Sequence, residues 1–209
     1  ATIDAFRNNP NDPEYPNFDW IDHSFRTGIA HNHHLNLNGG DDKTSYNVSI
    51  GYLDQDGITS IYEYQKYNAL FSVNSKVNNW LTLGGEIQFV KKDIQKSAWD
   101  NDVDYQILAI YGAGPNYTPT KVLPDGSVGY IARYSSSIAE WTVRNPDAQN
   151  ASGSIIERGY NVVPQFMADI KLHDNLTWSN KAAFSLSDNF SKGHEHPVDN
   201  YYFEDNTYA

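Results

Sequence analysis

Thr44-Ser45-Tyr46-Asn47-Val48-Ser49-Ile50-Gly51-Tyr52-Leu53 sets an apolar residue at every second position from Tyr46 to Tyr52, with Asn47, Ser49 and Gly51 between them. Side chains on a strand point alternately to its two faces, so this stretch has one greasy side and one wet side. Three other stretches repeat the pattern. Tyr67, Ala69, Phe71 and Val73 alternate with Asn68, Ser72 and Asn74, and Leu81, Leu83, Ile87 and Phe89 alternate with Thr82, Glu86 and Gln88. Phe166, Ala168, Ile170 and Leu172 face opposite to Gln165, Asp169 and Lys171. Strands of about ten residues with one apolar face suit a transmembrane β-barrel, and they also suit a large soluble β-sandwich.

The remaining features favour the barrel. Fifteen Tyr and five Trp accompany a mean hydropathy of −0.63, a pairing that fits a porin-like wall better than a packed soluble core. Nowhere do 18 consecutive apolar residues occur, which excludes a helical membrane span but not a β-barrel span. The net charge of −11 argues against a nucleic-acid partner. With no Cys, neither disulfides nor thiolate metal sites contribute. Ala1 opens in mid-sequence without an initiator Met, so the chain of 209 residues reads as a piece of a longer polypeptide.

The connections between strands alternate in length. Residues 1–30, rich in Asn, Asp and Pro, form an outer-side loop leading into the barrel, and residues 31–93 hold four barrel strands. Residues 94–160 form a long outer loop, within which Asp104 to Tyr111 suits a short helix. Residues 161–190 supply two more strands, the last from Leu176 to about Phe190, and residues 191–209 begin another outer loop. Gly39–Asp42, Lys76–Asn79 and His173–Asn175 are short turns, whereas Asp54–Gly57 opens a moderate loop. Outer-membrane barrels show this asymmetry, with short periplasmic turns and longer extracellular loops. The charges agree, because Glu86, Asp169, Lys171 and Lys181 all fall on the wet parity, while Asn180, Leu70 and Met167 break the pattern. Tyr52, Tyr64, Trp80, Phe89, Trp178 and Phe190 lie near strand ends, where amphipathic rings suit a membrane interface.

A family resemblance enters at Asp19-Trp20-Ile21-Asp22-His23-Ser24-Phe25-Arg26-Thr27-Gly28. It continues through His31-Asn32-His33-His34-Leu35-Asn36-Leu37-Asn38-Gly39-Gly40 and Lys43-Thr44-Ser45-Tyr46. Gly51-Tyr52-Leu53-Asp54-Gln55-Asp56-Gly57-Ile58 and Tyr67-Asn68-Ala69 complete the series, with Pro124-Asp125-Gly126-Ser127 and Asn145-Pro146 as weaker features. In this order the segments resemble the SusC/RagA-type TonB-dependent outer-membrane transporters over most of residues 15–190. The resemblance implies an all-β fold, a segment of a large antiparallel transmembrane barrel whose family form has 22 strands and an N-terminal plug. It implies a Gram-negative outer-membrane location in contact with lipid. It also implies a SusD-like surface lipoprotein as lid, TonB contacted through an upstream region, and an oligosaccharide or peptide as substrate.

Chemistry is sparse. On a strand His31 and His33 share a face and His34 points away, so no metal-binding set converges there. Asp100, Asp102 and Asp104 begin like a calcium loop, but Tyr105 replaces the sharp-turn Gly and Tyr111 the bidentate Glu. Only irregular loop calcium is left as an alternative, and no cofactor is predicted. His194-Glu195-His196 is too compact for a helical zinc motif, and it reads as solvated loop. Without a nucleophile elbow or a phosphate loop, and with Asp54 and Asp56 as chance acids, no enzyme is predicted. The candidate substrate contacts are Trp99, Tyr105, Tyr111, Tyr117, Tyr130, Tyr134 and Trp141, whose flat rings suit sugar stacking and equally suit folding the loop onto itself or a lid. Asn47, Asn74, Glu86, Gln88, Asp169 and Lys171 are the candidate lumen residues. A passive porin-like barrel and a soluble secreted glycan-binding β-sandwich stand as alternative functions.

Overall fold

The computed structural model describes residues 16–98, 103–115, 118–123, 125–132, 145–198, 200–202 and 207–208. Helix α1 (Trp20–Ser24) precedes four strands, β1 (Ala30–Gly40), β2 (Thr44–Asp56), β3 (Glu63–Lys76) and β4 (Leu81–Ser97). Then come α2 (Val103–Gly112), β5 (Thr120–Val122), β6 (Val128–Ala132) and α3 (Pro146–Ala151). Strands β7 (Gly153–His173), β8 (Leu176–Ala183), β9 (Leu186–Glu195), β10 (Asn200–Tyr202) and β11 (Thr207–Tyr208) complete the chain. A seven-stranded sheet runs in the order β1-β2-β3-β4-β7-β8, with β9 also paired to β7, and every pairing in it is antiparallel.

Side-chain hydrogen bonds close the short turns. Asp41 Oδ1 accepts from the backbone N–H groups of Lys43 (2.8 Å) and Thr44 (2.7 Å). Those two bonds hold the Asp41 carboxyl below its ordinary range. The second turn repeats the device, since Asn78 Oδ1 accepts from Trp80 N–H (3.0 Å) and Leu81 N–H (2.9 Å). At the third, Lys171 pairs with Asp174 (2.8 Å) beside a register shift between Lys171 and His173.

Register stacks the apolar parities of neighbouring strands. Val48 pairs with Leu37 and Phe71, Phe71 with Ile87, and Ile87 with Pro164. One row on, Leu35, Ile50, Ala69, Phe89 and Val162 meet in the same way. Leu35, Ile50, Phe71, Ile87 and Phe166 on this face are all exposed. The apolar side of the sheet is therefore not covered by a second layer among the described residues, as a sandwich would require.

The buried core lies beyond the sheet, at the end opposite the short turns. Trp20, Leu123 and Ile131 cluster there, with Phe18 and Ala113 packed against them. Burying large rings where 16–25 meets 109–131 gives this region its own small core. Residues 1–30 are thus more than a lead-in loop over their described part, because Asp19 caps α1 by accepting from the N–H groups of Ile21 and Asp22. A four-stranded sheet, β11-β10-β6-β5, lies in the same region.

Three boundaries differ from the sequence reading. The long connection spans 98–152 rather than 94–160, since β4 continues to Ser97 and β7 starts at Gly153. At these strand ends both faces mix polar residues with Ile94, Ile155 and Ile156, so alternation fades while the ladder goes on to Ser97↔Ser154. Gly153 opens β7 at φ 140, where a Cβ would clash with the His194 carbonyl. The last strand extends to Glu195 and is interrupted after Ala183, although β8 and β9 keep one continuous register on β7. Pro164 explains the interruption: its carbonyl accepts from Phe184 N–H (3.0 Å), but it has no N–H to return.

Candidate functional site

The polar face of the sheet is the first candidate surface. Asn38, Asn47, Ser72, Glu86 and Gln165 form one row across five strands. Glu86 Oε1 accepts from Gln88 Nε2 (2.6 Å) and from Gln165 Nε2 (3.1 Å), so one carboxylate ties two amides together. Asn74 lies one row toward the short turns, paired with Ser45 and Gly84, and Asp169 is paired with Thr82 and Ser179. All six predicted lumen residues therefore share one face, but only Glu86 and Gln88 touch through side chains. Lys171 is instead committed to Asp174 in the turn (2.8 Å). Parity alone does not reveal the contribution of Gln165, because its contact to Glu86 depends on the β4–β7 register.

On the apolar face, a row of His33, Tyr52, Tyr67, Lys91 and Tyr160 bounds the greasy band at the end away from the short turns. Tyr52 and Tyr67 have ring centroids 4.9 Å apart, and Lys91 Nζ stands 5.2 Å from the Tyr67 centroid. Just beyond it, Asp93 binds Lys91 (2.7 Å) and Arg158 (3.5 Å). Along β4 the band from Leu81 to Lys91 is about 34 Å of extended chain, which a strand tilt of about 40° reduces to about 26 Å. That matches the apolar band of about 25 Å on outer-membrane barrels. Of the aromatics singled out in the sequence, Tyr64 lies on the polar face, paired with Gln55 and Ile94, while Phe89 sits inside the band. Tyr67 and Tyr160 instead stand with Tyr52 in the row that bounds the band.

The small core beyond the sheet is the second candidate surface. Asn145, 5% exposed, donates Nδ2 to the carbonyls of Pro119 (2.6 Å) and Ile131 (3.0 Å). Its Oδ1 caps α3 by accepting from Asp147 N–H (3.0 Å) and Ala148 N–H (3.4 Å). Trp20 Nε1 donates to the Gly114 carbonyl (3.1 Å), and His23 Nε2 meets Asp147 Oδ2 at 2.8 Å. Asp125 accepts from Ser127 N–H (2.9 Å) and Oγ (2.7 Å), and these bonds lower its carboxyl pKa. Of the candidate substrate aromatics, Tyr111 ends α2 exposed, its ring 6.1 Å from Phe25, and Tyr130 is half-buried in β6. Tyr105 lies in α2. Trp99, Tyr117, Tyr134 and Trp141 fall outside the described residues.

No family model matches the chain. It is 25% identical over 191 residues to the TonB-dependent receptor SusC of Bacteroides thetaiotaomicron, an alignment covering 80% of this chain and 18% of that protein. The chain is similar to SusC/RagA-type TonB-dependent receptors. TonB-dependent receptor P26 of Formosa agariphila is 29% identical over 87 residues, covering 41% of this chain and 9% of that protein. Among solved structures, the RagAB peptide importer in its closed-closed state superposes with a TM-score of 0.67 at 18% identity, covering 87% of this chain and 20% of that one. A second RagAB peptide transporter structure gives a TM-score of 0.66 at 18% identity, covering 85% of this chain and 20% of that one. The chain thus spans about a fifth of the length of the SusC protein it matches. Its fold is a mostly antiparallel β-sheet that matches a segment of a TonB-dependent β-barrel.

No described helix is long and apolar enough to cross a membrane. No three His, Cys, Asp or Glu gather to hold a metal among the described residues. His31 and His33 stack with centroids 6.5 Å apart, whereas His34 Nε2 lies 3.3 Å from Ser49 Oγ on the other face. Asp100 and Asp102 lie outside the described residues, and Asp104 is in α2.

Proposed function

We infer that this chain is part of a TonB-dependent outer-membrane transporter that imports oligomeric nutrients, glycan oligosaccharides above all, beneath a SusD-like lipoprotein lid. One observation carries the reading: register gathers the apolar side chains of six consecutive strands into one uncovered band about as tall as a bilayer's hydrocarbon core, with polar side chains opposite. The similarity to SusC along most of the chain supports the TonB-dependent type. In this reading Asn47, Asn74, Glu86, Gln88, Asp169 and Lys171 line the lumen. The end holding α1, α2 and α3 faces the cell exterior, where Tyr111 and Tyr130 offer rings to the ligand or the lid. Trp99, Tyr105, Tyr117, Tyr134 and Trp141 are assigned the same role. The protein performs no covalent chemistry, and energy from TonB enters through a region outside this chain.

Peptide is the second reading, favoured by the RagAB neighbours, which are described as a peptide importer. Calorimetric titration of the full-length transporter with oligosaccharides and peptides decides between them. Uptake of the bound class in cells with and without TonB tests the energy coupling. Saccharide binding with TonB-dependent uptake is expected. Tight peptide binding with no response to any glycan would overturn the sugar assignment, and uptake independent of TonB would favour the passive porin.

A further inference from the structure

On the polar face, Lys66 of β3 and Lys92 of β4 are direct cross-strand partners. Such a pair has Cβ atoms about 4.5–5.5 Å apart, and like charges placed so are destabilising. No carboxylate pairs with either ammonium among the described residues. Glu157, the acid facing them from β7, is already bound to Lys96 at 2.9 Å. Asp54, Glu63 and Asp93 sit on the opposite parity of their strands. Lys66, Lys92, Lys96 and Glu157 therefore leave this part of the wall with two uncompensated positive charges, in a chain whose net charge is −11.

The glycines beside the pair are covered by carboxamides. Gly159, the β7 partner of Lys92, carries no side chain, and a Cβ there would stand 2.9 Å from Asn189 Oδ1. One row toward the short turns, Gly51 lies beneath the Asn68 carboxamide in the same manner, at 2.6 Å. Two cations flanked by carboxamides over glycines make a shallow seat with hydrogen-bond donors for an anion. A lone lysine on a wall reads as a solvated charge, but a register-locked pair that destabilises the empty sheet gains from any bound anion.

We propose that Lys66 and Lys92 form an anion seat on the lumen wall that selects oligosaccharides bearing carboxylate or sulfate groups. The proposal rests on the transporter reading and narrows its substrate class. It is tested on the full-length transporter by calorimetric titration with tetrasaccharides of matched length that are uncharged, uronate-bearing or sulfated, with an oligoglutamate peptide as a fourth probe. The K66Q/K92Q variant, which removes both charges and keeps polar side chains only one atom shorter, is measured alongside.

A charged tetrasaccharide should bind at least tenfold more tightly than its neutral counterpart. Raising NaCl from 50 to 500 mM should erode that advantage, and K66Q/K92Q should abolish it while leaving neutral binding unchanged. Equal binding of charged and neutral saccharides, or a charge preference that survives K66Q/K92Q, overturns the seat and leaves the glycan reading standing. An equal loss of neutral binding in the variant assigns the lysines to the structure of the wall and also overturns it. Binding of oligoglutamate without binding of any saccharide overturns both.

Discussion

Single side chains fix the turns and the outer core, and their effects can be isolated. Asn145→Ala would strip the donor from two buried carbonyls and remove the α3 cap, costing the outer assembly about 1–3 kcal/mol. Hydrogen exchange on the full-length protein should then quicken at Asp147 and Ala148 while the sheet amides hold. Asn145→Asp should fail as well, because it keeps the cap acceptor but sets a carboxylate against the Pro119 and Ile131 carbonyls. Asp41 makes the complementary case at the other end. Its carboxyl is held below the ordinary value of about 3.9 by two N–H donors. Its contribution to the turn is therefore complete above that value and is lost as pH falls through the lower, folded one. The Thr44 amide resonance should titrate below pH about 3.9, and Asp41→Asn should remove the titration while keeping the turn closed.

Strands obey the rule that parity assigns a face and register assigns a neighbour. Ile87→Lys, in the middle of the apolar band, should cost about 2–4 kcal/mol in refolding into lipid vesicles. Ser72→Lys, in the Glu86 row on the polar face, should change it little. Pro164→Val should return an N–H to the β8–β9 junction and stabilise the barrel by about 0.5–1.5 kcal/mol in the same assay. Alternation made the faces of β2, β3, β4 and β7 legible, along with all three short turns. It did not reach the end of β4, where Lys91, Lys92, Asp93, Gln95 and Lys96 leave no apolar parity to follow, or the start of β7, where Ile155 and Ile156 fall on opposite faces. Lys66 and Lys92 are each legible as wet positions, yet their pairing is a property of register across two strands. The packing of Trp20 on Leu123 and Ile131 joins positions about a hundred residues apart through no periodic pattern, so it could not be read along the chain.

For the molecule as a whole, the question is what covers the apolar face. Leu35, Ile50, Phe71, Ile87 and Phe166 lie exposed on one side of a seven-stranded sheet, bounded by the row from His33 to Tyr160. Lipid covering that face unites the aromatic row, the band height and the location of the buried core beyond the sheet. A direct test places spin labels at single cysteines introduced at residues 86, 87, 88 and 89 of the full-length protein in a bilayer, with any cysteine elsewhere replaced by serine; this chain itself has none. Collision with lipid-soluble oxygen should peak at positions 87 and 89, and collision with a water-soluble nickel chelate at 86 and 88. Four labels without that alternation, or labels at 87 and 89 immobilised and shielded from both reagents, would contradict a lipid-facing wall.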